Sequence, residues 1–80
     1  MPGPREVLEY VARHMADQPE SVSIEEDRLE EGSVNLRLSV AQDDMGKVIG
    51  RGGRTARAIR TVVRAAGAKA GVHAHVEIVE

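Results

Sequence analysis

The most informative segment of the chain runs from Val48 to Ile59 and reads Val48-Ile49-Gly50-Arg51-Gly52-Gly53-Arg54-Thr55-Ala56-Arg57-Ala58-Ile59. It has three glycines within four positions, and residues with helical spacing flank them on both sides. Because glycine lacks a Cβ atom, its backbone adopts positive φ and lets a partner approach closely. The first amides of a helix have no partner within the helix, and together with the helix dipole they favour an anion such as phosphate. The segment therefore predicts a turn between two helices with an anion-binding face.

The helix predicted after this turn has two chemically different faces. Its apolar stripe consists of Ala56, Ile59, Val63 and Ala66. Four arginines lie about 130° away around the helix, at spacings of three, three and four residues; they are Arg54, Arg57, Arg60 and Arg64. Like charges at these spacings repel by a few tenths of a kcal/mol per pair, and no acidic residue interrupts them. The arginine face therefore predicts an anionic partner.

The other elements follow from periodicity. Helical spacing predicts a first helix over about residues 4–17, and alternation predicts strands around 21–25, 34–40 and 72–78, with a polar connection over 26–32. Asp43 or Asp44 is expected to cap a short helix that carries Met45 and Val48, and Gly67 or Gly71 is expected to end the long one. The first two strands form a hairpin, and the last strand pairs in parallel with the second. The predicted fold is α+β in the order αββααβ, one domain over residues 1–80, with a three-stranded mixed sheet and three helices on one face.

Charge divides the chain into two unlike parts. The 80 residues carry a net charge of −2, but residues 1–44 hold four basic and eleven acidic side chains, and residues 45–80 hold seven basic and two acidic ones. One interpretation is that the acidic part faces the basic part and neutralises it. The other is that the basic part binds an anion, and only this second interpretation explains the regular spacing of the arginines.

Composition excludes several classes of protein. Without cysteine there is no disulfide framework, thiolate nucleophile or zinc finger, and a reducing, cytoplasmic location is expected. No apolar run reaches the roughly 18–20 residues that span a bilayer, and the N-terminus lacks the pattern of a signal peptide, so we expect a soluble protein. With one Tyr and no Phe or Trp, recognition modes that need stacked aromatic platforms are excluded.

An enzyme or a metal site finds little support in the remaining residues. His73 and His75 share one face of the last strand, but no third ligand has suitable spacing, and His14 is expected at the surface of the first helix. A dinucleotide fingerprint would need glycine where Thr55 stands, and no Gly-Lys-Ser/Thr string of a P-loop occurs. We therefore expect neither catalysis nor a cofactor.

The pattern Val48-Ile49-Gly50-x-x-Gly53-x-x-Ala56-x-x-Ile59 between two helices resembles the signature of the KH domain, and the order αββααβ resembles its type II form. The strings 44–50, 53–60 and 76–80 are further similar to the small bacterial single-KH proteins of the KhpA type. The resemblance spans essentially the whole chain. It implies an RNA-binding module whose loop clamps about four unpaired nucleotides, with the bases in an aliphatic groove.

Carried over by position, the resemblance implies RNA contact along the loop and the adjoining helix. The implied residues are Lys47, Ile49, Gly50, Arg51, Gly52, Gly53, Arg54, Arg57 and Arg60. Ile49 and Ile59 would shape the groove or the core beneath it, and Leu36 and Leu38 are better interpreted as core. Because Ala56 stands where many KH domains have a larger aliphatic residue, a shallow groove with weak base selectivity is expected.

The resemblance also implies partners. Proteins of the KhpA type are RNA chaperones or post-transcriptional regulators that pair with a Jag-type KH protein, KhpB, and affect cell-wall growth and cell shape. A homodimer, a heterodimer with KhpB, or both are therefore expected, and the candidate surfaces are Met45, Arg54, Thr55 and Ala58 near the loop or the polar face of the sheet. The alternative function is a protein-interaction module that docks such a partner, with RNA contact incidental.

Overall fold

The computed structural model describes residues 2–80. Its helices are α1 (Pro4–Met15), α2 (Met45–Ile49) and α3 (Arg54–Lys69), and its strands are β1 (Ser23–Glu30), β2 (Ser33–Ser39) and β3 (His73–Ile78). Short 3-10 turns cover Pro19–Ser21, Gln42–Asp44 and Arg51–Gly53. The predicted α+β class and the αββααβ order of helices and strands are confirmed.

The three strands form one mixed sheet in the order β1-β2-β3. β1 and β2 pair antiparallel as a hairpin, and β3 pairs parallel to β2 after the chain has crossed through α2 and α3. In this register Leu36 at the centre of the sheet lies opposite Glu26 on one side and Val76 on the other. Both pairings agree with the prediction.

The helices cover one face of this sheet and bury its apolar residues. Alternation places Leu36 and Leu38 on that face, and both are fully buried together with Leu8 of α1 and Val63 of α3. α1 packs against α3, and α3 packs on β3. Leu36 and Leu38 are therefore core residues, as their preferred interpretation predicted.

One element boundary differs from the prediction. β1 continues to Glu30, although residues 26–32 were expected to form a polar connection. Its backbone pairs with β2 along this stretch while its side chains are exposed, so hydrogen bonding to the neighbouring strand replaces burial.

Of the two glycines expected to end α3, Gly71 does so. Its φ is 78°, and the N–H groups of Gly71 and Val72 donate to the carbonyls of Ala68 and Gly67 at 3.1 and 2.9 Å, which closes the helix. Gly67 lies buried inside α3, where a Cβ atom would approach the Val72 carbonyl oxygen to 2.9 Å.

Asp44 occupies the N-cap position of α2, as predicted, but its side chain makes no capping hydrogen bond to that helix. Its carboxylate instead accepts hydrogen bonds from the backbone N–H groups of Asp17 and Gln18, each at 3.1 Å. Its residue surface is 1% exposed. This side chain therefore joins the segment after α1 to the start of α2, and so helps to position the glycine turn that follows. Within residues 2–80, no helix has the length and apolarity to cross a membrane.

Candidate nucleic-acid interface

The glycine turn between α2 and α3 has positive φ at three positions, with φ of 75° at Gly50, 65° at Gly52 and 75° at Gly53. Gly50 is also tightly packed, since a Cβ atom there would lie 2.3 Å from the Thr55 hydroxyl oxygen. At Gly52 and Gly53 a Cβ atom would meet nothing within 4 Å. The turn therefore has one glycine that fits it against α3 and two that project into open space.

Backbone hydrogen bonds hold both ends of the turn. The Gly50 N–H donates to the Gly46 carbonyl at 2.9 Å, and the Gly53 N–H donates to the Gly50 carbonyl at 3.1 Å. Arg51 and Gly52 lie between them, and the Arg51 carbonyl accepts from the Arg54 N–H. Both residues precede the first turn of α3, where the helix dipole is positive. The start of α3 therefore favours an oxyanion.

The cations beside these amides are not neutralised by the acidic part of the chain. Arg51 and Arg54 are exposed, and neither lies in a salt bridge among the described residues. Of the seven cations between residues 46 and 70, only Lys47 forms salt bridges there, with Asp17 and Asp44. Mutual neutralisation of the two parts therefore does not hold for the loop or the arginine face.

Lys47 is consequently different from the other implied RNA-contact residues. Its ammonium donates a hydrogen bond to the Asp17 carboxylate, and this bond raises the pKa of Lys47 above its ordinary value. Asp44 lies 4.0 Å away on the other side. Lys47 thus ties α2 to the end of α1, and much of its charge is balanced within the protein.

The four arginines of α3 fall into two pairs, which differ in whether the side chain bonds to the protein. The Nη2 atom of Arg57 donates to the Gly52 carbonyl at 3.1 Å, and the Nε atom of Arg60 donates to the Val76 carbonyl at 3.2 Å. Arg54 and Arg64 are exposed, and their guanidinium groups donate no hydrogen bond to residues 2–80. Two of the four arginines therefore already hold backbone carbonyl groups, one in the loop and one at the edge of β3.

A groove with aliphatic and polar lining lies beside the loop. Ile49 at the end of α2 lines it together with residues that follow β2 and β3, and its volume is about 510 Å³. The lining residues are Val40, Gln42, Met45, Ile49, Val79 and Glu80. Ile59, in contrast, is 4% exposed and belongs to the core. Sequence reasoning identified Ile49 as a groove residue but missed Val40 and Val79. The sequence signal that could have found them is that each directly follows one of two parallel strands, because the carboxyl ends of parallel strands meet at one edge of a sheet.

The opposite face of the sheet is polar and internally paired. Arg37 forms salt bridges with Glu25 and Asp27 on the neighbouring strand, and Asn35 donates to Glu77 at 3.1 Å. The bond to Glu25 raises the pKa of Arg37. His73 and His75 are exposed there, and residues 2–80 contain no cluster of three or more His, Cys, Asp or Glu side chains suited to a metal ion.

The chain matches known proteins along most of its length. A family model described as KhpA/KhpB, KH domain, matches residues 5–78. The RNA-binding protein KhpA of Clostridium perfringens is 48% identical over 75 residues, which cover 94% of this chain and 99% of that protein. KhpA of Streptomyces coelicolor is 48% identical over 64 residues, covering 80% of each chain. KhpA of Listeria monocytogenes is 40% identical over 75 residues, covering 94% of this chain and 97% of its own.

A solved structure shares the fold. The crystal structure of an Aquifex aeolicus Era variant bound to GDP and AlF4− matches 94% of this chain with a TM-score of 0.72 and 14% sequence identity. The match spans 29% of the Era chain, so it concerns the fold of one part of that protein only. The family model and the identities of 40% to 48% go further and confirm the resemblance seen in the sequence. The chain belongs to the KhpA/KhpB family of KH-domain proteins.

Proposed function

We propose that this protein binds single-stranded RNA through the turn Gly50–Gly53 and the start of α3. The observation that carries the proposal is a turn with three positive-φ glycines at the start of α3, beside Arg51 and Arg54, which are exposed and form no salt bridge among the described residues. Relatives of nearly the same length are named RNA-binding proteins, which agrees with this function.

In the proposed complex, the turn binds the sugar-phosphate backbone of the RNA and the groove binds a base. A phosphate at the turn accepts hydrogen bonds from the Arg51 and Gly52 amides, and the guanidinium groups of Arg51 and Arg54 balance its charge. Because Gly52 has no side chain, the sugar-phosphate backbone approaches the turn closely. An adjoining base then packs on the aliphatic side chains of the groove, at Ile49. Aliphatic packing needs no aromatic platform and distinguishes bases weakly, so low sequence preference is expected.

The remaining implied contact residues surround this centre. Lys47, Arg57 and Arg60 add positive potential next to the turn, although each one already bonds to a protein group. Their field favours a polyanion over a neutral partner. The core of the proposed site is therefore Ile49, Gly50, Arg51, Gly52, Gly53 and Arg54, with those three cations at its margin.

The test replaces Arg51 and Gly52 together. Arg51→Asp with Gly52→Asp places two negative charges on the turn, while aspartate tolerates the left-handed φ of Gly52 better than most residues. Fluorescence anisotropy with a labelled single-stranded RNA should show binding abolished, and circular dichroism should be unchanged. The matched control, Arg51→Gln with Gly52→Asn, has nearly the same shape without the added charge and should retain part of the affinity. Full binding by the Asp double variant would refute the proposed clamp.

Salt dependence separates this function from the protein-interaction alternative. If three to five phosphates are contacted, the slope of log affinity against log salt should be about −2 to −3.5, at roughly −0.7 per phosphate for single strands. A flat response would favour an interaction module in which RNA contact is incidental. The titration uses the unmodified chain and the same labelled RNA.

We further propose that the protein acts in the cytoplasm as an RNA chaperone or post-transcriptional regulator, paired with a second copy or with a KhpB-type partner, and influences cell-wall growth and cell shape. The support is physical: one module that contacts about four nucleotides binds weakly, and joining two modules raises affinity through effective concentration. Arg54 and Ala58 are exposed at the start of α3 and can contribute to such a surface. RNA titrations with and without a KhpB-type protein, together with the mass of each complex in solution, test this pairing.

A further inference from the structure

One arginine of α3 bonds to the glycine turn itself. The Nη2 atom of Arg57 donates to the Gly52 carbonyl oxygen at 3.1 Å, five residues back along the chain. We infer that Arg57 is a positioning residue, which holds the turn in its phosphate-binding conformation and does not itself act as a phosphate ligand. The inference rests on the proposed RNA-binding function and assigns a different role to one residue of the arginine face.

Together with one backbone bond, this hydrogen bond holds both polar groups of a single peptide unit. The carbonyl of the Gly52–Gly53 peptide accepts from Arg57, and the N–H of the same unit, which belongs to Gly53, donates to the Gly50 carbonyl at 3.1 Å. With both polar groups held inside the turn, the plane of this peptide cannot rotate without breaking a bond. The preceding amides, on Arg51 and Gly52, are the ones that the proposed function directs at a phosphate.

Packing against Thr55 restrains Gly50, but a Cβ atom at Gly52 or Gly53 would meet nothing within 4 Å. Glycine also has more backbone freedom to lose than any other residue. Hydrogen bonds therefore contribute to the order of this end of the turn, and Arg57 supplies the one to the Gly52 carbonyl.

Arg64 provides a matched comparison on the same helix. It is exposed and carries the same charge, and its guanidinium group forms no hydrogen bond within the described residues. Arg57→Ala and Arg64→Ala therefore remove equal charge, but only the first removes the bond to the turn. Arg57→Lys keeps the charge and replaces the planar, directional guanidinium with an ammonium on a flexible stem.

The first measurement uses the protein without RNA. In Arg57→Ala and Arg57→Lys, backbone ¹⁵N order parameters at Gly52 and Gly53 should fall from about 0.85, typical of rigid backbone, toward about 0.6. Arg64→Ala should leave them unchanged. Unchanged order parameters in Arg57→Ala would overturn the inference, and this outcome does not depend on whether the protein binds RNA.

The second measurement is the salt titration with labelled single-stranded RNA. Losing one hydrogen bond of ordinary strength should weaken binding by about three- to tenfold at every salt concentration, and the slope should match that of Arg64→Ala. A phosphate ligand would behave differently: Arg57→Ala would reduce the slope by about 0.7 more than Arg64→Ala does, and Arg57→Lys would restore affinity. Either of those results would overturn the positioning role. If the wild-type chain does not bind RNA at all, the proposed function is refuted, but the role of Arg57 in ordering the turn is not.

Discussion

Asp44 offers the sharpest test of how the segments before the glycine turn are held together. Replacing it with alanine removes the carboxylate that accepts from the backbone amides of Asp17 and Gln18, each at 3.1 Å. The residue is 1% exposed, and both hydrogen bonds are partly buried. Asp44→Ala therefore leaves two amides without their partner at the junction of α1 and α2.

The expected loss of stability follows from these two bonds. Hydrogen bonds to a charged group contribute about 1.5–3 kcal/mol each, so Asp44→Ala should lower the free energy of unfolding by about 3 kcal/mol, taking the low end for both. A domain of this size has a total stability of roughly 4–12 kcal/mol. The loss is thus a large share of the whole, and the melting temperature should fall by on the order of 15 °C.

Urea titration followed by far-ultraviolet circular dichroism measures the change. Asp43→Ala is the matched control, because Asp43 is the adjacent carboxylate, is exposed and forms no hydrogen bond within residues 2–80. The control should stay within about 0.5 kcal/mol of the wild type, as surface substitutions do. If Asp44→Ala costs no more than Asp43→Ala, the carboxylate does not join α1 to α2 in solution and the reasoning fails.

Two further substitutions test packing and charge. Gly67→Ala should destabilise the protein by about 1–3 kcal/mol through overpacking, because its Cβ atom would lie 2.9 Å from the Val72 carbonyl oxygen; a stability gain in the urea titration, in line with helix propensity, would contradict this. Lys47→Gln tests the salt bridge with Asp17, which raises the pKa of Lys47 above its ordinary value of 10.5. The contribution of the ion pair to folding stability should be complete below pH 10.5 and disappear as the pH rises through the raised pKa. The melting temperatures of the wild type and Lys47→Gln should therefore converge in alkaline buffer. A difference in melting temperature that persists there would exclude the ion pair as its cause.

The helix after the turn shows what periodicity can establish. Ala56, Ile59 and Val63 were placed on a core face by spacing alone, and all three are buried. Arg54 and Arg64 were placed on the opposite side and are exposed. This prediction is confirmed because the sides of a helix are set by local geometry, which repeats every 3.6 residues.

The first strand shows a limit of prediction from periodicity. Beyond Ile24 the residues of β1 are exposed and predominantly charged, so no alternation marks the strand, yet it continues to Glu30. What keeps this stretch extended is backbone pairing with β2, in which Asp27 lies opposite Asn35. An edge strand that no helix covers has no apolar pattern to reveal it.

The groove could be predicted only in part, for a related reason. Ile49 belongs to the signature around the turn, but Val40 and Val79 come from two other segments of the chain. They meet Ile49 because β2 and β3 run parallel and end at the same edge of the sheet. Residues that are distant in sequence can be assigned to one groove only when the predicted strand pairing is combined with the point where each strand ends.

By its sequence alone, the chain specifies where the glycine turn lies, which side of α3 is basic and which elements form the domain, since all of these depend on local backbone preferences and spacing. The tertiary structure decides what each cation can do. Lys47 meets Asp17, Arg57 meets the Gly52 carbonyl and Arg60 meets the Val76 carbonyl. A cation that bonds to an acceptor of the protein has fewer donors left for a ligand, and for Lys47 and Arg60 that bond depends on how remote segments pack.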